Sequence, residues 1–221
     1  MRKRGPKPKK IINTKWSANL AYAVGLIATD GCLSGDGLLV DLTSNDREQL
    51  NNYCECLEVN FKICDKSSGG GRRSLRVQFK NRFFYDYLLS IGLTPAKSKT
   101  IKKIAVPDKY FFDFLRGCFD GDGCFYSYWD PRWKSSFMFY TEFCSASPIF
   151  IKWLQQKINI LASINGHVTT AGKTHSMQQL KYAKQESIIL LKKMYYSPKN
   201  IFLSRKRLKI NKALGIVGMK I

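Results

Sequence analysis

The sequence predicts an α+β chain made of two tandem repeats, each with the element order αββαββα. Two observations carry that prediction. The segments AVGLIATDG (23–31) and LRGCFDGDG (115–123) share one nine-residue pattern: small and apolar residues, a glycine in third place and a closing Asp-Gly. Their acids, Asp30 and Asp122, lie 92 positions apart in a chain of 221. Around them, runs of 3.6-residue and two-residue periodicity recur in the same order.

In the first repeat, Asn13 or Thr14 is expected to cap a helix over 17–29, with Leu20, Val24 and Ile27 on one apolar stripe, and Asp-Gly stops it. A strand follows over 38–43, and an amphipathic helix over 46–57 carries Leu50, Tyr53 and Leu57. Segments 61–65 and 74–80 form a hairpin across SSGGG, and a helix over 82–91 is broken by Gly92 and Pro95. The second repeat runs as a helix over 108–120, strands over 124–128 and 137–143, and a helix over 148–161 opened by Ser147. A hairpin of 166–171 with 177–182 and a helix over 186–195 complete it. The offset grows from 92 at the acids to 101 at Ser44 and Ser145, so the first hairpin of the second half is nine residues longer. The expected organisation is a basic arm (1–16), a first half (17–106) and a second half (107–221).

Charge narrows the partners. With 37 Lys and Arg against 16 Asp and Glu, the net charge is +21, a field that favours a polyanion through counterion release. Residues 1–29 hold seven basic residues and no acid, and nine basic residues follow the last acid, Glu186. No segment has the length of a membrane-spanning helix, so a membrane partner is not expected. The seven cysteines, with Cys54-x-Cys56 one residue short of a zinc knuckle, read as buried or half-buried free thiols in a reducing compartment, a bacterial cytoplasm or an organelle matrix.

The paired motif carries the chemistry. Ala21/Gly25 and Gly117/Gly121 are small residues at i,i+4 spacing, which lets two helix backbones approach closely. Asp30 and Asp122 then stand at two neighbouring helix C-termini, where the helix dipoles and the other acid disfavour negative charge. A divalent cation is the natural occupant, and oxygen ligation with water and phosphate suits Mg²⁺. Such a site would hydrolyse a phosphodiester bond.

The two motifs resemble the signature of LAGLIDADG homing endonucleases, in the single-chain, two-motif form, over roughly residues 17–210. The resemblance implies two antiparallel four-stranded sheets forming a DNA-binding saddle and signature helices at a pseudo-twofold interface. It implies catalytic metal ligation by Asp30 and Asp122, assisted by the carbonyls of Thr29 and Gly121, with Mg²⁺ as cofactor and Mn²⁺ able to substitute. It also implies a basic residue beyond the last helix of each half; Lys97 and Lys206 match best, with Arg205 close behind, each to hold the phosphate transition state. The chain departs from the pattern at Ala28, where the signature's earlier acid stands; its counterpart Asp120 is expected to be structural. At the end of the second strand, Ser44-Asn45 and Ser145-Ala146 replace the usual Lys or Gln.

Base readout is expected from alternating polar strand residues: Arg76, Gln78 and Lys80 in one half, Gln179 and Lys181 in the other, with Asp41, Thr43, Lys173 and Gln178 as weaker candidates. The function implied is a metal-dependent, site-specific double-strand DNA endonuclease of the intron-homing type, a monomer with an internal pseudo-dimer acting on a long asymmetric site. The alternatives are an intron-RNA maturase on the same fold and a DNA-binding regulator without chemistry.

Overall fold

The computed structural model describes residues 10–67, 73–172 and 176–221. The arm residues before Lys10, most of the SSGGG loop and Lys173 lie outside the described residues. The architecture is α+β. Seven α-helices among the described residues pack with two antiparallel four-stranded sheets.

The first half comprises α1 (Ala18–Thr29), β1 (Gly31–Leu33), β2 (Leu39–Ser44), α2 (Arg47–Cys56), β3 (Ile63–Ser67), β4 (Arg73–Lys80) and α3 (Arg82–Ser90). The second comprises α4 (Phe111–Asp122), β5 (Cys124–Trp129), β6 (Phe137–Ser145), α5 (Pro148–Ala162), β7 (His167–Ala171), β8 (Met177–Ala183) and α6 (Lys184–Met194), followed by α7 (Ser204–Ile216). The sheets run β1-β2-β4-β3 and β5-β6-β8-β7, the same order twice.

Local chemistry fixes several boundaries differently from the sequence expectation. Ser17, not Asn13 or Thr14, caps α1, its hydroxyl accepting from the Leu20 N–H; the Asn13 side chain accepts from Lys15 instead. Asp46 and Ser147 cap α2 and α5 through the same kind of side-chain oxygen. The expected 108–120 helix opens as a 3-10 turn, Asp108–Tyr110, and α4 continues past Asp120 through Gly121 to Asp122. The three-residue strand β1 and the helix α7 are additions. β1 is too short to show alternation, and α7 lies beyond the repeated pattern.

Helices α1 and α4 form the centre. The stripe expected on α1 is an underestimate: every residue from Leu20 to Ala28 is buried, one side against α4 and the other against the first half's core. The glycines make the approach possible. A Cβ on Gly25 would collide with the Phe114 carbonyl oxygen and lie 2.8 Å from Cys118 N and 2.9 Å from Gly117 Cα. A Cβ on Gly117 would collide with the Tyr22 carbonyl oxygen.

Each sheet turns one face to this core. Val40 pairs with Phe79 and Leu42 with Val77, and all four are buried. Thr141 pairs with Tyr182 and Phe143 with Leu180, equally buried. The alternation therefore sends Asp41, Thr43, Arg76, Gln78 and Lys80, and in the other sheet Glu142, Gln179 and Lys181, to the outer face.

Two buried polar clusters tie the halves to the C-terminal segment. Arg116 pairs with Asp113 at 2.9 Å and donates to the carbonyls of Met194 and Ile201. Asp120 accepts from the Tyr22 hydroxyl at 2.7 Å and from the Leu203 N–H at 2.8 Å, which joins α4 to α1 and to the start of α7. Burial pushes the Asp120 carboxyl up to about 6. That acid fits its expected structural role: both hydrogen bonds are internal, and it is fully buried.

All seven cysteines are unpaired thiols, but Cys32, Cys64 and Cys124 are exposed, contrary to the expectation that all would be at least half-buried. They lie on strands whose alternation faces them outward. Among the described residues no helix is long and apolar enough to cross a membrane.

Candidate active site

The two acids emerge where α1 and α4 end together. Asp30 is the C-cap of α1, and Asp122 is the last residue of α4. Gly121 brings the ends within touching distance: a Cβ there would collide with the Thr29 hydroxyl and lie 3.2 Å from the Asp30 carboxylate. A methyl group would wedge the two ends apart.

Burial raises the pKa of both carboxyls above the usual carboxylate range. For Asp30 burial is the larger cause and the negative charge of Asp122 the second, opposed by Gln49, Lys206 and Lys97. For Asp122 burial again leads, opposed by Lys97 and Lys206. Desolvated, mutually repelling acids at two helix C-termini favour an added cation.

The two basic residues chosen from sequence occupy equivalent places, each at the end of a signature helix. Lys97 is buried, and its ammonium donates to the Thr29 carbonyl at 3.3 Å and to that of Gly31. Lys206, equally buried, donates to the carbonyls of Phe119, Gly121 (3.0 Å) and Gly123 (2.7 Å). Desolvation lowers both, Lys206 to about 8. Each thus neutralises the carbonyls that end one signature helix. The same carbonyls, Thr29 and Gly121, were expected to face a metal; an sp² oxygen has two lone pairs, so a lysine on one leaves the other.

Each acid opens into its own cleft, built from matching parts. Asp30 shares a cleft of about 660 Å³ with Ser44, Asn45, Gln49, Gly121 and Arg205. Asp122 shares a smaller one, about 190 Å³, with Thr29, Lys97, Ser98, Ser145 and Ala146. Arg205, expected near the chemistry, stands in the Asp30 cleft and pairs with Asp46 at 2.8 Å. The halves also differ at the acids themselves. Gln49 donates to Asp30 at 2.6 Å and accepts from Ser44 at 2.9 Å. Asp122 accepts no hydrogen bond from any described residue, because Phe150 stands five residues beyond Ser145 where Gln49 stands beyond Ser44. Sequence reasoning missed Gln49 because it looked at the strand end, whereas the amide reaches the acid from the first turn of α2.

Of the candidate base-reading residues, Gln178 falls on the inner face with Leu180 and Tyr182, against expectation, because it alternates with Gln179 and Lys181; the other described candidates share outer faces, and most are already engaged. Asp41 accepts from Gln78 at 3.0 Å and from Thr43 at 2.9 Å, and the Arg76 guanidinium lies 3.5 Å away. In the other sheet Glu142 accepts from Gln179 at 2.6 Å, with Lys181 at 3.5 Å. Asp41 and Glu142 are equivalent positions of the repeat, both buried although they lie on the outer faces. Lys80 stands exposed at the end of β4.

Structural comparison decides the fold. The chain superposes on the DNA-bound homing endonuclease I-WcaI with a TM-score of 0.59 at 13% identity, over 95% of each chain. I-DmoI in complex with DNA and Ca matches with a TM-score of 0.58 at 13% identity, over 86% of this chain and 96% of that one. The chain has the two-motif LAGLIDADG fold.

Helices α1 and α4 are its two LAGLIDADG helices, one per half of a single chain. The same fold in the N-terminal LAGLIDADG domain of DUF199/WhiA matches with a TM-score of 0.54 at 14% identity, over 86% of this chain and 88% of that one. No protein-family sequence description matches the chain. No curated protein matches it in sequence either.

Proposed function

We propose that the protein is a divalent-metal-dependent endonuclease that cuts both strands of a long, asymmetric DNA site. The observation that carries the reading is the symmetric pair Asp30 and Asp122, each desolvated at the end of a glycine-packed LAGLIDADG helix and each bordered by a buried lysine. Structural neighbours at low identity, I-WcaI and I-DmoI, are bound to DNA, and I-DmoI was solved with Ca and with Mn. Together with a charge of +21, this supports double-stranded DNA as the partner.

The donor set fits a hard cation. Among the described residues no three His, Cys, Asp or Glu side chains converge, so the site offers two carboxylates and the carbonyls of Thr29 and Gly121. Asp30, Asp122 and those carbonyls would hold Mg²⁺ or Mn²⁺, with water and substrate phosphate completing the shell. The bound ion supplies charge neutralisation of the phosphate and an acidified water. The protein's own contribution is positional. Gly25 and Gly117 set the separation of the acids, Gln49 orients Asp30, and Lys97 and Lys206 fix the carbonyls at the helix ends. Arg205, in the Asp30 cleft, is placed to meet a phosphate.

The bands of polar residues on the two outer faces differ in sequence, which implies a non-palindromic site. Intron homing, a monomeric state and a reducing compartment are parts of the same proposal.

The test is cleavage of a DNA library in Mg²⁺, in Ca²⁺ and without metal, with Asp30→Asn and Asp122→Asn alongside. Discrete Mg²⁺-dependent double-strand cuts, lost in either variant while Ca²⁺-supported binding persists, are expected. Tight binding without cutting in Mg²⁺ or Mn²⁺ would overturn the endonuclease reading and bring a regulator or an intron-RNA maturase to the front.

A further inference from the structure

The two outer faces are chemically unlike, and the difference sits on the nine-residue extension of the second half. In the first half the hairpin ends early: β1 stops at Leu33 and β2 begins at Leu39. In the second, β5 and β6 run on together to the pair Trp129 and Phe137. Phe125 and Phe139 point inward and are buried, so Tyr126, Tyr128, Met138 and Tyr140 take the outer face by alternation. The three tyrosines form a column. Tyr126 and Tyr140 lie 5.3 Å apart at 16°, and Tyr128 and Tyr140 lie 6.2 Å apart at 9°. Tyr126 is 36% exposed and Tyr128 42% exposed. Asp41, Arg76 and Gln78 of the first half correspond by register to Glu142, Gln179 and Lys181 of the second, and the extension adds to that polar set a column of rings with no charge between Cys124 and Tyr128, which the shorter first hairpin lacks.

We propose that the Tyr126–Tyr140–Tyr128 column is a thymine-reading surface, which contacts the C5-methyl groups in the outer part of one DNA half-site. The proposal rests on the reading of this chain as a double-stranded DNA-binding protein. The column is continuous with the polar face that carries Gln179 and Lys181, because β5, β6 and β8 belong to one sheet. A duplex lying along that face meets the tyrosines. Tyr140 stacks against both of the other rings, and Tyr126 and Tyr128 each cover one face on it and leave the rest of the ring exposed. Among the base-edge groups of the major groove the methyl of thymine is the apolar one, and the ring carbons can bury it while the phenol hydroxyls keep their own hydrogen bonds. Tyrosine rings also lose little conformational freedom on contact, and the mutual stacking has already fixed them. Tyr126 and Tyr128 lie four and six residues beyond Asp122, roughly 13–20 Å along the strand. That distance corresponds to about four to six base pairs from the centre of the cut.

The experiment is selection of double-stranded oligonucleotides by the full chain in Ca²⁺, followed by replacement of thymidine with deoxyuridine in the recovered site. The substitution removes only the methyl. The half-site of the second sheet is the one whose footprint weakens in Lys181→Ala. Expected are thymines about four to six base pairs from the centre in that half only, and a loss of about fourfold in affinity for each methyl removed. Tyr126→Ser and Tyr128→Ser, exposed changes checked for folding by circular dichroism, should erase the thymine–uracil difference, while the two Phe variants keep it. A site that tolerates deoxyuridine in both halves overturns the inference and leaves the DNA-binding reading intact. So does a uracil penalty that persists in the Ser variants. Failure to enrich any duplex overturns the DNA-binding reading, and the inference with it.

Discussion

The sharpest expectation concerns one methyl group at the helix interface. Gly→Ala inside a helix ordinarily stabilises by about 1 kcal/mol, because alanine loses less backbone freedom on folding. At Gly117 the sign should reverse. The new Cβ meets the Tyr22 carbonyl oxygen and lies 3.0 Å from Gly25 Cα, both backbone atoms that no rotamer change can move. Ordinary contact needs 3.4–4 Å, so the helices must separate, and contacts along α1 and α4 weaken with them. Overpacking of this kind costs up to about 3 kcal/mol, and with the propensity gain of about 1 the net loss is about 2 kcal/mol. For a chain of this size that is a fall in Tm of roughly 4–8 °C. Gly215→Ala provides the control: it lies in α7 with nothing within 4 Å of its Cβ, so it should be neutral or stabilise by up to about 1 kcal/mol. Urea denaturation of both variants measures the difference. Because Asp30 and Asp122 end the same two helices, calorimetric Ca²⁺ affinity should fall in Gly117→Ala and stay unchanged in Gly215→Ala. A Gly117→Ala protein as stable as the control would refute the argument that close backbone contact sets the geometry of the acids.

Three further outcomes are expected. The folded state holds the Asp120 proton more tightly than the unfolded chain, so the residue's contribution to stability declines as pH rises from about 4 to about 6, by about 3 kcal/mol in total. In Asp120→Asn that decline should vanish, and urea unfolding at pH 4.5, 6 and 7.5 reads it as a variant-minus-parent difference that grows with pH; a constant difference would discount burial as the cause. Gln49→Leu removes a hydrogen bond to the Asp30 carboxylate, so that acid's pKa rises further and the pH needed for Ca²⁺ binding moves up by about one unit; an unshifted calorimetric profile would show that Gln49 does not tune the acid. Arg205→Ala breaks an exposed ion pair with Asp46 and should change stability by less than about 1 kcal/mol, yet reduce the salt dependence of DNA binding by about one counterion. An unchanged salt slope would place Arg205 away from the backbone.

What was legible in the sequence was whatever periodicity and duplication encode. The repeated nonapeptide located both acids, alternation put Arg76 and Gln78 on the face opposite Val77 and Phe79, and the drift from 92 to 101 located the longer β5–β6 hairpin. Such features depend on neighbours in the chain, so their pattern survives in one dimension. The family resemblance singled out Lys97 and Lys206, and the structure places both at equivalent helix ends. Their engagement was hidden. That Lys97 and Lys206 turn inward onto helix-end carbonyls depends on how α7 and the 97–99 turn fold back over α1 and α4. Gln49 reaching Asp30, and Asp41 and Glu142 gathering the polar strand residues around them, are likewise contacts between elements. The sequence by itself determined which residues are duplicated and which strand faces are polar. Only the tertiary structure decided which of those groups are desolvated and which already have partners, because burial and hydrogen bonding are set by packing across long separations in the chain.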